Sequence, residues 1–135
     1  MSATAFTFPI RIVPADIDFM GHVNNAVYLT YLEQARFAHW RAVWGFDFEG
    51  LPENAPGVIL ARAEIDYRRP ARYGDMLEVR ISLERIGRTS FSYTYEIVDQ
   101  EERVVAEAKS VQVMYDYAAG KPVPLSEEMR SKLNE

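Results

Sequence analysis

Four stretches in the second half of the chain alternate apolar and polar residues with a period of two. They cover residues 58–68, 76–86, 89–99 and 103–115. Alternation over so many positions is typical of strands that bury one face and leave the other in water. Because mainly tight turns separate the stretches, we expect the strands to pair antiparallel.

The stretch before them has a longer period and predicts one amphipathic helix over residues 26–44. Its apolar stripe recurs at spacings of three and four and consists of Tyr28, Tyr31, Leu32, Ala35, Ala38, His39 and Ala42. Asn24 or Asn25 is the expected N-cap, because asparagine side chains accept hydrogen bonds from free amides at a helix start. Gly45 is the expected stop.

The rest of the chain completes an α+β domain. A strand is predicted over residues 6–13, a loop over 46–56, and a short helix over 127–133 that is capped by Ser126. No repeat or change of composition divides the sequence, so residues 1–135 are expected to form one domain. Since one helix cannot cover both faces of the sheet, the other face should meet water or, given the aromatic strands, a partner.

Composition excludes several classes of protein. The formal net charge is -5, whereas a nucleic-acid-binding protein usually carries a basic face. The chain has no cysteine, which excludes a disulfide framework, a thiol nucleophile and a cysteine-ligated metal site. No signal peptide is evident, and no apolar run reaches the roughly 20 residues of a membrane span. We therefore expect a cytoplasmic protein without a nucleic-acid or membrane partner.

The densest polar group lies directly before the long helix, in the sequence DIDFMGHVNNAVYLTYLEQAR. Within ten residues it holds two carboxylates, a histidine and two asparagines, namely Asp16, Asp18, His22, Asn24 and Asn25. Backbone amides are free at a helix N-terminus, and the helix dipole favours negative charge there. Such a place can stabilise an oxyanion.

Simpler explanations exist for the same residues. Asp18 can be a charge that favours a helix start, and His22 a hydrogen-bonded loop histidine. Asp16, Asp18 and His22 are also conceivable metal ligands, but an oxygen-rich site requires more ligands than the stretch provides. Neither a metal ion nor another cofactor is therefore expected.

The pattern DxDxxGHVNNxxYxxYxExAR, followed by a meander of strands, resembles the hotdog-fold thioesterases. More narrowly, it is similar to the acyl-CoA thioesterases of the 4-hydroxybenzoyl-CoA thioesterase type. The resemblance extends over nearly the whole chain. It implies a hotdog fold, in which a long helix is wrapped by a curled antiparallel β-sheet. It also implies that two protomers join their sheets, with active sites at the interface, so a homodimer or homotetramer is expected.

The resemblance implies roles for individual residues. The catalytic carboxylate falls on Asp18, and the oxyanion donor is the backbone amide of Asn25, seven residues later. His22 matches a histidine present in many members. Some relatives carry an asparagine at the position of Met20, so this chain departs from them where water is handled. Glu33 resembles a structural helix position.

Hydrolysis of an acyl-CoA to a free acid and coenzyme A is thus the expected reaction, with Asp18 as general base or as nucleophile. The leaving thiol has a pKa near that of cysteine, about 8.5, and needs little acid assistance. Tyr28 is a candidate for the acyl pocket. Arg68, Arg69 and Arg72 are candidates for the phosphates, with ion pairing along the strand as the alternative.

Two other functions fit the same fold. An enoyl-thioester hydratase also uses Asp and His near a helix start, but its motif places the histidine five positions after the aspartate, whereas His22 lies four after Asp18. A non-catalytic module that binds acyl-CoA as a sensor would usually carry a DNA-binding segment. This chain has neither the length nor the basic patch for one.

Overall fold

The computed structural model describes residues 6–45 and 57–134, and the loop predicted over 46–56 lies outside them. The elements are β1 (Phe6–Arg11), a 3-10 turn (Pro14–Asp16), α1 (Val27–Trp44), β2 (Gly57–Tyr67), β3 (Met76–Ile86), β4 (Ser90–Val98), β5 (Val104–Asp116), β6 (Lys121–Pro122) and α2 (Glu127–Leu133). The predicted strands and helices are all present, with bounds within two residues of those expected. The 3-10 turn and the two-residue β6 were not predicted.

The strands form one antiparallel sheet with the order β1–β3–β4–β5–β2, and β6 pairs with the end of β5. Its register aligns apolar residues across neighbouring strands. One such row runs through Phe6, Ile81, Tyr95, Ala108 and Ile65. Because directly opposed residues share a face of the sheet, these rows build one continuous apolar surface. The expected antiparallel pairing is confirmed.

Helix α1 packs across the apolar surface, against β1 and β3. Its buried residues are Tyr28, Tyr31, Leu32, Ala35, Arg36 and Trp40. The predicted stripe was therefore wrong at Ala42, which is exposed, and it missed Arg36 and Trp40. The reason is the indole of Trp40, which packs edge-on to Phe91 and donates to the Tyr93 hydroxyl over 3.0 Å. Ala42 offers no comparable apolar area.

The start of α1 differs from the prediction of an asparagine N-cap. The capping position is Ala26, whose side chain makes no capping hydrogen bond. Asn24 acts earlier, because its Oδ1 accepts from the amide of Ala26 at 2.9 Å and its carbonyl accepts from the amide of Val27 at 3.0 Å. This is an asparagine turn that leads into the helix. Gly45 ends the helix as predicted, with a left-handed φ of 76° that glycine adopts without strain.

The opposite face of the sheet carries charged side chains. Arg80 bonds to Glu78 at 2.7 Å, and Lys109 lies 3.1 Å from Glu84. The aromatic side chains of β4 instead lie buried beneath α1, and they are Phe91, Tyr93 and Tyr95. These aromatic residues therefore give no reason to expect a partner on the outer face, because α1 already covers them, and whether that face meets water or a partner stays a prediction.

Strand β2 is an edge of the sheet. It pairs with β5 along one side, and along its other side it meets no strand of the described chain. Two of its large apolar residues, Leu60 and Tyr67, are 47% and 48% exposed. An edge of 11 residues with exposed apolar side chains is open to pairing with another chain.

Candidate active site

The residues before α1 form a compact loop. Ile17 and Val23 make an isolated antiparallel bridge, and the loop between them is closed by two backbone hydrogen bonds. The amide of Asp18 donates to the carbonyl of His22 at 3.2 Å, and the amide of Gly21 donates to the carbonyl of Asp18 at 3.0 Å. Gly21 has a φ of 89°, a conformation that side chains disfavour. The local backbone thus fixes where Asp18 lies.

Both carboxylate oxygens of Asp18 accept hydrogen bonds. Oδ1 accepts from the amide of Met20 at 2.9 Å, and Oδ2 accepts from Nδ2 of Asn24 at 2.9 Å. The Met20 bond, followed by the Asn24 bond and the charge of His22, lowers the pKa of Asp18 below its usual value. Asp18 is therefore an anion at neutral pH while its side chain stays partly open to solvent.

Asp16 anchors the loop to the helix. Its Oδ2 accepts from the amide of Val13 at 3.0 Å and from the hydroxyl of Tyr31 at 2.8 Å. Tyr31 is almost completely buried in the core, and burial, together with the bond to Asp16, raises the pKa of its hydroxyl. Through these two hydrogen bonds, Asp16 holds the loop in place.

His22 is partly buried beside Asp18. Its Nδ1 lies 3.4 Å from the carbonyl oxygen of Val23. Within the described part of the chain no hydrogen bond joins the imidazole to the Asp18 carboxylate, and the two side chains interact through charge alone. The structure therefore brings His22 next to Asp18 without making it an orienting partner.

The backbone amide of Asn25 is available at the start of α1. Among residues 6–45 and 57–134, no acceptor receives a hydrogen bond from it. The carbonyl of Asn25 accepts from the hydroxyl of Tyr67 at 2.9 Å, so β2 holds the backbone of this residue from the other side. A free, fixed N–H at a helix N-terminus is the kind of group that stabilises a developing oxyanion.

A second loop, between β2 and β3, is joined to the Asp18 loop. The amide of Val23 donates to the carbonyl of Ala71 at 2.8 Å, and Ala71 is fully buried. Tyr28 lies beneath this junction at 3% exposure, where its hydroxyl contacts the backbone of Ala71 and its ring packs on Tyr67. Tyr28 thus belongs to the core of one chain, and its role towards a substrate stays a prediction.

An open cleft of about 410 Å³ lies beside this junction. Its lining residues are Arg69, Pro70, Arg72, Asp75, Asp99 and Arg103. Arg103 is paired, since its Nε lies 2.9 Å from the buried carboxylate of Asp99. No carboxylate of the described residues pairs with Arg69 or Arg72. The cleft therefore presents two free guanidinium groups that suit an anion.

The predicted phosphate contacts do not all meet in this cleft. Arg68 turns to the surface of β2 and β5, where it bonds to Glu107 at 2.8 Å and lies 3.8 Å from Asp66. Ion pairing, the alternative given above, thus describes Arg68. Arg103 lines the cleft and was missed, because nothing in the sequence reveals that the turn after β4 folds beside residues 69–72.

The part of the chain that the structure describes offers neither a metal site nor a membrane-spanning helix. Within residues 6–45 and 57–134, no three histidine, aspartate or glutamate side chains come together as metal ligands would. In the same residues, neither helix combines the length and the apolar character that crossing a bilayer requires.

Comparison with known families decides how this site is interpreted. Residues 12–133 match the model of the thioesterase-like superfamily. The chain belongs to this superfamily. The hotdog fold and the thioester hydrolase class, both expected from the sequence, are thereby confirmed.

Individual thioesterases resemble the chain over nearly its whole length. The acyl-CoA thioester hydrolase YbgC of Escherichia coli O6:H1 is 30% identical over 122 residues, which are 90% of either protein. The long-chain acyl-CoA thioesterase FadM of Escherichia coli K12 is 30% identical over 128 residues, 93% of this chain and 95% of FadM. A thioesterase of Thermus thermophilus, solved with coenzyme A and zinc, superimposes with a TM-score of 0.81 at 30% identity, covering 96% and 97% of the two chains.

Proposed function

We propose that this thioesterase hydrolyses acyl-CoA to a free acid and coenzyme A, and that it does so in the cytoplasm as a homodimer. One observation carries the proposal. The ionised carboxylate of Asp18 is held directly before α1, where the amide of Asn25 has no acceptor among the described residues. The action of YbgC and FadM on acyl-CoA supports the choice of substrate.

The two groups meet the needs of thioester hydrolysis. The N–H of Asn25 binds the carbonyl oxygen of the thioester and stabilises the negative charge that develops there. Asp18 either takes a proton from the attacking water or attacks the carbonyl carbon itself and forms a mixed anhydride that water then cleaves. In both routes the C–S bond breaks and coenzyme A leaves as a thiolate. The thiol of coenzyme A has a pKa of about 8.5, so its departure needs no acid assistance.

The cleft supports coenzyme A as the carrier of the acyl group. Arg69 and Arg72 offer two unpaired cations to the phosphates of coenzyme A, and the bond from Val23 to Ala71 connects this loop to the Asp18 loop. An acyl carrier protein, the alternative carrier, bears one phosphate on its pantetheine arm and would use less of this charge.

The open edge of β2 supports the homodimer. A second copy that pairs its own β2 antiparallel along this edge would continue the sheet across both chains and cover Leu60 and Tyr67. Light scattering of the purified protein should therefore give the mass of two chains, or of four if dimers associate further. A mass of one chain would contradict this part of the proposal.

The proposed reaction is tested with a panel of acyl-CoA thioesters that differ in length and in aromatic or polar character. We expect release of free thiol from at least one of them, detected with a thiol-reactive dye. The same panel should include an enoyl-CoA, since a hydratase would add water to the double bond without releasing thiol. Binding of acyl-CoA without either reaction would favour the non-catalytic module instead.

A further inference from the structure

Asn24 occupies the position between the reacting carboxylate and the helix. Its Nδ2 donates to Oδ2 of Asp18 at 2.9 Å, while its Oδ1 accepts from the amide of Ala26 at 2.9 Å. Its backbone is fixed as well, because its amide donates to the carbonyl of Asp16 at 2.9 Å and its carbonyl accepts from the amide of Val27 at 3.0 Å. Every polar group of Asn24 is thus used, and each contact lies within the site.

The two polar atoms of the Asn24 side-chain amide make different contacts. Oδ1 accepts a hydrogen bond at the start of the helix. An aspartate could do this at least as well, because it is an equally good acceptor there and its charge suits the helix dipole. Nδ2 donates its hydrogen bond to Asp18 alone. An aspartate in its place would put a second carboxylate against the first, so only the contact to Asp18 explains an asparagine at this position.

We propose, building on the thioesterase function above, that Asn24 is a positioning residue of the reaction. Its amide holds the Asp18 carboxylate in one orientation and ties it to the turn from which the Asn25 amide projects. The carboxylate and the oxyanion donor are thereby set in a fixed relation before substrate binds. Preorganisation of this kind is worth most when small displacements of a reacting group are costly, and a displacement of about 1 Å can reduce a rate about 100-fold.

The substitution Asn24→Asp separates this role from a structural one. It keeps the acceptor that Ala26 uses and replaces only the donor that faces Asp18. At pH 7 we expect a folded protein whose kcat is reduced about 100-fold while KM changes little. When the pH is lowered, the new carboxyl shares a proton with Asp18 and again donates to it, so activity should rise towards acidic pH. The wild-type enzyme, whose Asp18 stays ionised over the same range, should show no such rise.

A second variant keeps the proposal testable if Asn24→Asp folds poorly. Asn24→Ala removes the donor without adding charge, and carbon-13 NMR titration of the Asp18 carboxyl should then show a higher pKa than in the wild-type protein. Thr30→Ala, on the exposed side of the first turn of α1, is the matched control and should leave kcat, its pH profile and the Asp18 titration unchanged.

The outcomes decide between the two roles. A wild-type kcat in Asn24→Asp, or a pH profile parallel to that of the wild-type protein, would overturn the proposal. So would an unchanged Asp18 titration in Asn24→Ala. The titration needs no turnover, so it tests the contact even if wild-type protein releases no thiol from any acyl-CoA, a result that would count against the proposed function alone.

Discussion

The hydroxyl of Tyr67 donates a 2.9 Å hydrogen bond to the backbone carbonyl of Asn25. Tyr67 is the last residue of β2, and Asn25 precedes α1 by two positions. The ring of Tyr67 also packs edge-on against that of Tyr28, with centroids 5.3 Å apart. The edge strand of the sheet therefore helps to orient the residue whose amide is the proposed oxyanion donor.

Removing this bond should slow the reaction without weakening substrate binding. In Tyr67→Phe we expect kcat to fall roughly 2- to 10-fold with little change in KM, which corresponds to one hydrogen bond of about 0.5–1.5 kcal/mol. Steady-state kinetics on the best acyl-CoA measures both constants. Tyr117→Phe removes an exposed hydroxyl elsewhere and should have no effect. A larger change in KM than in kcat would assign Tyr67 to substrate binding.

The carboxylate of Asp18 should be essential. Asp18→Asn keeps the size of the side chain but loses its charge, its basicity and its nucleophilicity, and we expect thiol release to fall about 10²- to 10⁴-fold. Asp116→Asn is the control, because its Oδ1 only accepts from the amides of Ala118 and Ala119 and an asparagine can do the same. Retained activity in Asp18→Asn would remove Asp18 from the mechanism.

The pH dependence of the reaction should follow the lowered pKa of Asp18. Only the ionised form acts, so kcat/KM should stay level down to about pH 5 and fall as the pH passes below about 3.9, the usual aspartate value. The same shift stabilises the folded protein above the pKa of an unfolded aspartate, and that contribution is lost as the pH falls through the folded value. An acidic limb centred well above pH 5 would contradict the assignment.

The two free arginines of the cleft should act on the carrier and not on the chemistry. We expect the double variant Arg69→Ala, Arg72→Ala to raise KM for acyl-CoA while kcat changes little. A thioester of N-acetylcysteamine has no phosphate and should be hydrolysed equally by both proteins. Arg11→Ala removes an exposed cation of β1 and is the matched control. Equal KM values for acyl-CoA would exclude the cleft as the phosphate site.

The buried guanidinium of Arg36 should make the folded protein less stable than an apolar side chain at the same position would. The residue is 4% exposed, its Nη1 donates to the Tyr95 hydroxyl at 3.3 Å, and its Nε has no acceptor in the described part of the chain. Replacing even a paired buried charge by well-packed apolar side chains is often neutral or stabilises a protein by about 1–4 kcal/mol, and Arg36 has no carboxylate partner among the described residues. We therefore expect Arg36→Met to raise the free energy of unfolding in denaturant.

The contrasting variant is Arg103→Met. It leaves the buried carboxylate of Asp99 without its guanidinium partner at 2.9 Å and should lower the free energy of unfolding. If Arg36→Met destabilises the protein as Arg103→Met does, the Arg36 guanidinium contributes to the core in a way that its hydrogen bonds do not reveal.

The sequence predicted the fold well because period and turn residues are local signals. The alternation in β3 gave its bounds, Met76–Ile86, and Gly45 gave the end of α1. The stripe of α1 was less accurate, since an exposed alanine and a buried one look alike in a sequence. Only the packing of Trp40 on Phe91 shows which side of the helix is covered.

The sequence indicated where a site could lie but not how its residues are connected, and the roles of those residues stay predictions. Asp18 and Asn25 lie in one short stretch, and resemblance to thioesterases could assign roles to both. The function of Asn24 depends on which neighbour its amide faces, and Tyr67 is separated from Asn25 by 42 positions. The Tyr67 contact arises only when the end of β2 lies beside the start of α1, so no local pattern predicts it. The Asn24 contact is local, but the sequence does not show which way the side-chain amide turns.

The bond from Val23 to Ala71 joins the loop of Asp18 to the loop of the cleft arginines. If the cleft binds the phosphates of coenzyme A, the pantetheine arm has to reach from there to Asp18. A short thioester without phosphates would then occupy only the Asp18 end of this path, whereas acyl-CoA would occupy both ends.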